Sequence, residues 1–378
     1  MGDLVNIAII GAGCGGQAIA GYLASKGNEV NLYNRSIDRI RLLMEKKEIE
    51  LQGEIHSRGK LNLVTTDISE AVRGTELIMV VTTATGHYDI ATALAPHLKE
   101  EQTIVLNPGR TFGSLEFMNA LLEGGLSADV TVAEANTLIY ATRILEPGLS
   151  DVKGIKNSVS LSVIPNHRTS QVVSMLNENY PQFYAVENFL TTSLGNIGAV
   201  FHPTITLLNE KRIRNKEAFD FYRDGATREV VDYMEQVDNE RRTIARSFGV
   251  EVQSLKEWLC ERYSLPNSSL FDALHNNPFY EGLAAPTTFN MRYLTEDIPT
   301  GLVPFSELGK SIGVDTRYID ELIEKASVEL KVDFRIQGRN LNRLGLDART
   351  IFEDLRIVSE LETITEYKTA VGATVGGD

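Results

Sequence analysis

The sequence predicts two folds in one chain: an α/β domain built on a doubly wound, Rossmann-type parallel sheet, then an all-α domain. Three observations carry this. Short apolar runs alternate with helix-period segments through the first half, as in sheets whose strands are covered on both faces. A G-x-G-x-x-G turn joins the first such run to the first helical segment. Beyond about residue 190 the β-rich runs stop and apolar residues recur at helical spacing.

Taken in order, strands are expected at 5–10, 29–33, 77–81, 103–106 and 130–133, and helices at 15–25, 37–47, 87–97 and 115–122. Runs 7–10 and 77–81 are apolar throughout, the mark of buried parallel strands. A smaller β-rich tail follows at 139–145 and 158–163, then a helix at 170–179 and a strand at 183–186. Helical periodicity then covers 218–246, 254–263, 307–312 and 316–325, with breakers at Leu265-Pro266-Asn267, Asn277-Pro278, Ala285-Pro286 and Asp297-Ile298-Pro299. The Gly-rich end at 371–378 reads as frayed. A chain of 378 residues suits two domains, which the change of texture divides into 1–188 and 189–378.

Lys and Arg number 37 against 51 Asp and Glu, a formal net charge of −14. So acidic a chain matches neither the phosphates of nucleic acid nor an anionic membrane surface, and neither is expected as a partner. An anionic small ligand stays compatible, because a pocket can be locally positive inside an acidic protein. Two cysteines, Cys14 and Cys260, cannot form a disulfide framework and suit a reducing cytoplasm. No run approaches the roughly 18 apolar residues of a membrane span, and no basic segment leads into an apolar stretch at the start. A cytoplasmic protein is expected, with a homodimer through the long helices as its assembly.

Gly11-Ala12-Gly13-Cys14-Gly15-Gly16 lies between a strand and a helix, with a second strand following at 29–33. In that context Gly11 permits the tight turn, Gly13 lets the backbone approach a pyrophosphate, and Gly16 lets helix and strand pack closely. The N–H groups of Cys14, Gly15 and Gly16 then face the diphosphate at the helix start. The second strand ends in Asn34-Arg35-Ser36, where an NAD-binding chain usually offers a carboxylate to the ribose 2′-hydroxyl. A cation there favours a 2′-phosphate, so the expectation leans to NADPH while leaving NADH open. Thr83 and Asn107-Pro108-Gly109 end neighbouring strands at the same edge and are expected beside the nicotinamide ribose. His87, starting the next helix, is expected at the surface.

In the second half, Asn196-Ile197-Gly198-Ala199-Val200-Phe201-His202-Pro203 sets a histidine in an apolar helical run, where a buried structural role competes with catalysis. Arg292-Tyr293-Leu294-Thr295-Glu296-Asp297-Ile298-Pro299 adds a guanidinium and carboxylates later in the same domain. An imidazole titrates near neutral pH, a carboxylate behind it fixes the tautomer, and an arginine clamps a substrate carboxylate. A plain helix-end ion pair stays open for Arg292 and Asp297. Glu134 and Arg143 are equally readable as substrate contacts or structural polar groups, Trp258 reads as core, and no metal site is expected.

In these segments the chain resembles the opine dehydrogenases, the NAD/NADP octopine/nopaline dehydrogenase family. The likeness runs through the glycine loop, His87, Asn107-Pro108-Gly109, the Asn196-to-His202-Pro203 segment and the Arg292-to-Asp297-Ile298-Pro299 segment. It implies that His202 is the acid/base, that Asp297 orients it, that Arg292 joins the same cluster and that Asn196 meets the substrate. It implies a reaction in which an α-keto acid such as pyruvate condenses with the amino group of an L-amino acid or amine. The imine then takes a hydride from NAD(P)H, with the site between the domains. Two other readings stay open: a keto-acid or ketone reductase of the ketopantoate reductase or glycerol-3-phosphate dehydrogenase type, which relies on a helical-domain lysine, and a non-catalytic NAD(P)H sensor.

Overall fold

A computed structural model gives the fold and describes residues 5–367. The expected frayed end at 371–378 lies outside the described residues. The chain divides into two compact units: the described residues through Thr192 with those from Glu353 onward, and Ser193–Phe352. A single helical domain running from 189 to 378 is therefore corrected, because the C-terminal segment rejoins the first unit. Helix Ile351–Glu360 straddles the division, and Glu362 beyond it lies 3.8 Å from His167 of the first unit. Its apolar spacing (Ile351, Leu355, Val358, all buried) is the same as in the helical unit, so nothing in the local sequence separates it from that unit.

The described strands of the first unit are β1 (Asn6–Ile10), β2 (Glu29–Tyr33), β3 (Glu48–Gly53), β4 (Ser57–Lys60), β5 (Leu63–Thr65), β6 (Leu77–Val80), β7 (Thr103–Leu106), β8 (Thr131–Ala135), β9 (Tyr140–Glu146), β10 (Leu149–Ile155), β11 (Val159–Ile164) and β12 (Phe183–Ala185). The main sheet runs β12-β11-β8-β7-β6-β1-β2-β5, parallel except where β11 pairs antiparallel with β8. From central β1 the chain steps outward through β2 to β5, then returns to β6 and steps outward the other way. That reversal between β1 and β6 is the switch point at which open α/β sheets bind ligands. Ile9, Ile10, Ile78, Val80, Ile104 and Leu106 are fully buried, which is why these strands read as unbroken apolar runs.

A second sheet, β4-β3-β10-β9, differs from expectation. The sequence reading places no strand between 47 and 77 and treats 139–145 and 158–163 as one tail. Instead β9 joins this small sheet, while β11 completes the large one. The small sheet packs on the far side of helix Cys14–Ser25, so that helix is buried on opposite sides. Small residues make this contact possible. A Cβ on Gly21 would lie 2.7 Å from Ile49, and one on Gly59 would lie 2.2 Å from the Gly21 carbonyl. In β3 only alternate residues, Ile49 and Leu51, are buried among charged neighbours, too short a signal to declare a strand.

The second unit is helical, its longest segments being Gly198–Leu208, Arg228–Ser247, Val303–Ser311 and Arg317–Leu330. The helix expected over 218–246 starts ten residues late, at Arg228, where Thr227 caps it by accepting from the Val230 N–H. Residues before it form an irregular segment instead. The Asp220 N–H donates to Asp224 Oδ2 at 2.9 Å, and Asp220 Oδ2 accepts from the Gly282 N–H at 3.0 Å. Local carboxylate-to-backbone bonds of this kind compete with helix formation.

The glycine loop yields a stability prediction. A Cβ on Gly16 would sit 1.7 Å from the Gly11 carbonyl oxygen, whereas one on Gly13 would meet nothing within 4 Å. Gly16→Ala is expected to lower stability by about 2 kcal/mol or more, and Gly13→Ala to change it by less than about 1 kcal/mol. Denaturant titration of the two variants checks this; equal midpoints would contradict the packing role given to Gly16.

Candidate active site

In the first unit, the sequence folds the glycine loop tightly between β1 and β6. Gly11 has φ +113°, a conformation that excludes other residues, and its N–H donates to the Tyr33 carbonyl at 2.8 Å. Asn34 Oδ1 accepts from the Ala12 N–H at 3.1 Å, so the end of β2 braces the loop directly. Buried Gln17 ties the same loop to the small sheet. Its Nε2 donates to the Ala12 carbonyl, and its Oε1 accepts from the Gly148 N–H. At Gly11, Gly15 and Gly16 the chain's own atoms leave no space for a side chain, but at Gly13 they do. At Gly13 the backbone is thus left open from outside, as the close approach of a pyrophosphate would require. The residues present fit a dinucleotide. Cys14, Arg35 and Thr83 are all exposed around this edge.

In the second unit, His202 and Asp297 come together although 95 positions separate them. Helix Gly198–Leu208 carries His202, and the π-helical turn Ile298–Leu302 follows Asp297. The two segments touch at Gly301, where a Cβ would stand 2.4 Å from the Ala199 side chain and 3.4 Å from Asn196 Nδ2. Absence of that Cβ lets the turn settle against the helix one turn before His202. Asp297 Oδ2 then lies 2.7 Å from His202 Nδ1, the side chains being 2% and 20% exposed. A buried carboxylate at this distance holds the proton on Nδ1 and stabilises the imidazolium when Nε2 is also protonated.

Aromatic side chains enclose the pair. Tyr293 stacks on the imidazole at 4.3 Å between centroids, inclined by 16°. Tyr222 places its hydroxyl 2.9 Å from His202 Nε2 and itself stacks on Tyr280 at 4.1 Å. Burial pushes the Tyr222 phenol well above its ordinary value, with the phenols of Tyr293 and Tyr263 and the carboxylate of Asp297 acting in the same direction. Tyr222 escapes the sequence reading because it lies in the stretch taken for helix. The available signal was Asp220, Asp224 and Gly225, a turn-forming set inside an aromatic run.

Other expected residues take different places. Arg292 does not join His202; its Nε and Nη2 both donate to buried Glu296, at 2.8 and 2.7 Å, because an (i, i+4) partner one helical turn away is nearer. Asn196 is buried beside Gly301. His87 is corrected from surface to fully buried, since helix His87–Leu94 turns it against Phe117 of helix Gly113–Glu123, ring edge to face at 6.2 Å. Trp258 is half-buried rather than core, between Phe201 and Tyr263. Glu134 is enclosed in the first unit, accepting from the Ser114 N–H and hydroxyl at 2.8 Å and from the Thr192 hydroxyl, while Arg143 is exposed on β9. Among the described residues no group of three or more His, Cys, Asp and Glu side chains is placed to hold a metal ion, and no helix is long and apolar enough to cross a membrane.

Comparison with known proteins bears on both units. The family model for the alpha-helical domain of NAD/NADP octopine/nopaline dehydrogenase matches residues 185–329, and that for the N-terminus of NAD-dependent glycerol-3-phosphate dehydrogenase matches 6–133. An opine dehydrogenase from Arthrobacter sp. (strain 1C) is 38% identical over 344 residues, covering 91% of this chain and 96% of its own. A solved octopine dehydrogenase with NADH and L-arginine shares the fold at a TM-score of 0.80 and 23% identity, over 95% of this chain and 98% of that one. A yersinopine dehydrogenase with NADP+ bound does so at 0.73 and 17%, over 97% and 99%. The identity to the Arthrobacter enzyme is spread over nearly the whole of both chains, so the likeness is of the protein and not of one domain, and the chain belongs to the opine dehydrogenase family of oxidoreductases acting on CH–NH bonds.

Proposed function

We propose that the chain condenses a 2-keto acid such as pyruvate with the amino group of an amino acid or amine and reduces the imine, with His202 as acid/base. The 2.7 Å Asp297–His202 contact carries this assignment of roles, because a structural histidine needs no buried carboxylate to fix its tautomer. With the proton held on Nδ1, the Nε2 side of the ring exchanges protons with the reactants. In its imidazolium form His202 protonates the hydroxyl that leaves the carbinolamine as water. Arg292 spends two donors on Glu296 and retains others for a substrate carboxylate. Asn196 is assigned to substrate binding in the segment that leads into the His202 helix. Solved octopine dehydrogenases holding L-arginine, agmatine and pyruvate support these substrate classes.

A bound NAD(P)H supplies the hydride. For its binding the backbone of Gly11, Gly13, Cys14, Gly15 and Gly16 takes the diphosphate, Asn34 and Arg35 take the adenosine ribose, and Thr83 lies toward the nicotinamide. Exposed Arg35 favours NADPH through a charge-assisted contact with a 2′-phosphate. Relatives are divided on the point, NADH being bound in octopine dehydrogenase and NADP+ in yersinopine dehydrogenase. The setting we assign is a cytoplasmic homodimer, in line with unpaired Cys14 and Cys260 and the exposed Val328 and Ile336 of the helical unit.

The rival reading as a lysine-dependent ketone reductase finds little support in the helical unit. Lys211, Lys216, Lys310 and Lys325 are exposed and the last two pair with Asp320 and Glu321, while Lys256 is half-buried. NAD(P)H oxidation with pyruvate alone, compared with pyruvate plus a mixture of amino acids, separates the two. Imine reduction needs both substrates, so turnover on the keto acid alone at the full rate would favour the rival.

His202→Ala is expected to lower kcat by about 10²- to 10⁴-fold with dinucleotide affinity unchanged, and Asp297→Asn to slow turnover by a comparable factor while the fold survives. Steady-state kinetics beside fluorescence titration of NAD(P)H measure both effects; wild-type turnover in His202→Ala would refute the assignment. Gly13→Ala is expected to weaken dinucleotide binding without the stability loss of Gly16→Ala. Arg35→Ala should cost about 10- to 100-fold in kcat/KM for NADPH and little for NADH. A wild-type preference for NADH that Arg35→Ala leaves intact would overturn the NADPH reading.

A further inference from the structure

Both ring nitrogens of His202 are engaged by the chain itself. Nδ1 faces Asp297 at 2.7 Å and Nε2 faces the Tyr222 hydroxyl at 2.9 Å. An acid/base whose second nitrogen is already occupied acts on a substrate either by losing that partner or through it. Packing decides between these. Tyr222 is stacked on Tyr280 at 4.1 Å, edge-on to Phe221 at 4.9 Å and to Phe201 at 6.4 Å. His202 is stacked on Tyr293 at 4.3 Å, and Tyr293 meets Phe221 at 4.8 Å with the rings tilted by 30°. Aromatic contacts of this kind hold each ring in place, and swinging Tyr222 aside would break several at once.

The segment carrying Tyr222 is pinned as well. The Phe221 N–H donates to the Leu283 carbonyl at 2.8 Å, Ala285 N–H to the Phe219 carbonyl at 2.9 Å, and Asn209 Nδ2 to the Gly225 carbonyl at 2.8 Å. A Cβ on Gly225 would stand 2.3 Å from the Phe221 carbonyl oxygen, so the turn is close-packed. The phenol oxygen can donate and accept at once, and His202 uses only one of these capacities.

We propose that Tyr222 is a further catalytic residue, the hydroxyl through which His202 passes its proton to the reacting substrate. In the dehydration step imidazolium Nε2–H moves to Tyr222 Oη while the phenol O–H moves to the departing hydroxyl. The carbinolamine C–O bond breaks, water leaves, and the nitrogen lone pair forms the C=N bond. Tyr222 ends as it began, His202 becomes neutral, and the positive charge rests on the iminium. Burial keeps the phenol protonated across the working range, as a relay that must return to its starting state requires. The proposal rests on His202 being the acid/base.

The test keeps the two claims apart by running Tyr222→Phe and His202→Ala side by side on pyruvate with the best amine from the amino-acid mixture. Tyr222→Phe preserves the ring stack and is expected to lower kcat about 100-fold, leaving KM for pyruvate and the dinucleotide Kd within about threefold. Tyr222→3-fluorotyrosine keeps ring and hydroxyl but makes the phenol more acidic, and its kcat should differ from wild type at unchanged Tm. A Tyr222→Phe kcat within threefold of wild type, or a rate indifferent to fluorination, overturns the relay while an inactive His202→Ala leaves the acid/base intact. Turnover in His202→Ala overturns both.

Discussion

A single contact, Asp297 Oδ2 to His202 Nδ1, joins two distant segments of the helical unit, and the local packing is arranged around it. A carboxylate with 2% of its side chain exposed is costly to bury unless it is hydrogen-bonded, and the imidazole of His202 provides such a partner. Reaching 2.7 Å across 95 residues demands that two backbones meet closely. Gly301 against Ala199 meets that demand, and the π-helical turn that starts beside Asp297 sets its direction. Such turns are wider than an α-helix and are found often at functional sites for this reason. Pro203 follows His202 inside the helix, and the His202 carbonyl accepts from the Thr206 hydroxyl at 2.7 Å.

The first unit solves a different problem with the same means. Its loop must present backbone N–H groups, so side chains are removed wherever chain meets chain: Gly11 against the Val81 carbonyl, Gly16 against the Gly11 carbonyl, Gly21 against Ile49. Among the glycines of the loop, Gly13 alone has no atom of the chain within 4 Å of where a Cβ would stand. Asn34 belongs to this economy of short contacts. Its side chain accepts from the Ala12 N–H and donates to the Ser36 carbonyl, which shapes the loop.

How far the sequence disclosed this depends on the length of the signal. The parallel strands β1, β6 and β7 were legible because burial on both faces makes every residue apolar. The pairing of His202 with Asp297 was expected through a family resemblance, since spacing alone does not bring residues 95 positions apart together, whereas the glycine turn was legible because strand, turn and helix follow one another around it. β3 and β4 were not, since two alternating apolar residues in a charged run carry no periodicity beyond chance. Tyr222 was hidden for a related reason: aromatic residues in an irregular segment follow no period, and only their contacts explain them. Burial of His87 depends on a neighbouring helix that sequence does not bring near. The return of the C-terminal helix to the first unit is likewise a matter of long-range packing, invisible to a local texture.

The net charge of −14 then looks less like a contradiction of a chain that handles anions. Exposed charges further apart than about 8 Å are largely screened at physiological salt, so the acidic surface contributes little at a binding edge. What acts there is within hydrogen-bond range. In the first unit these are the N-terminal N–H groups of helix Cys14–Ser25 and the guanidinium of Arg35, with no acidic residue in the first turn of that helix to oppose them. In the second unit they are Arg292, tethered by Glu296 but with donors to spare, and the imidazole of His202. Glu296 and Asp297 are adjacent in sequence, yet each is buried against a different partner, Arg292 and His202. One carboxylate orients an arginine and the next orients a histidine, so two neighbouring residues fix the positions of two different nitrogen-bearing side chains.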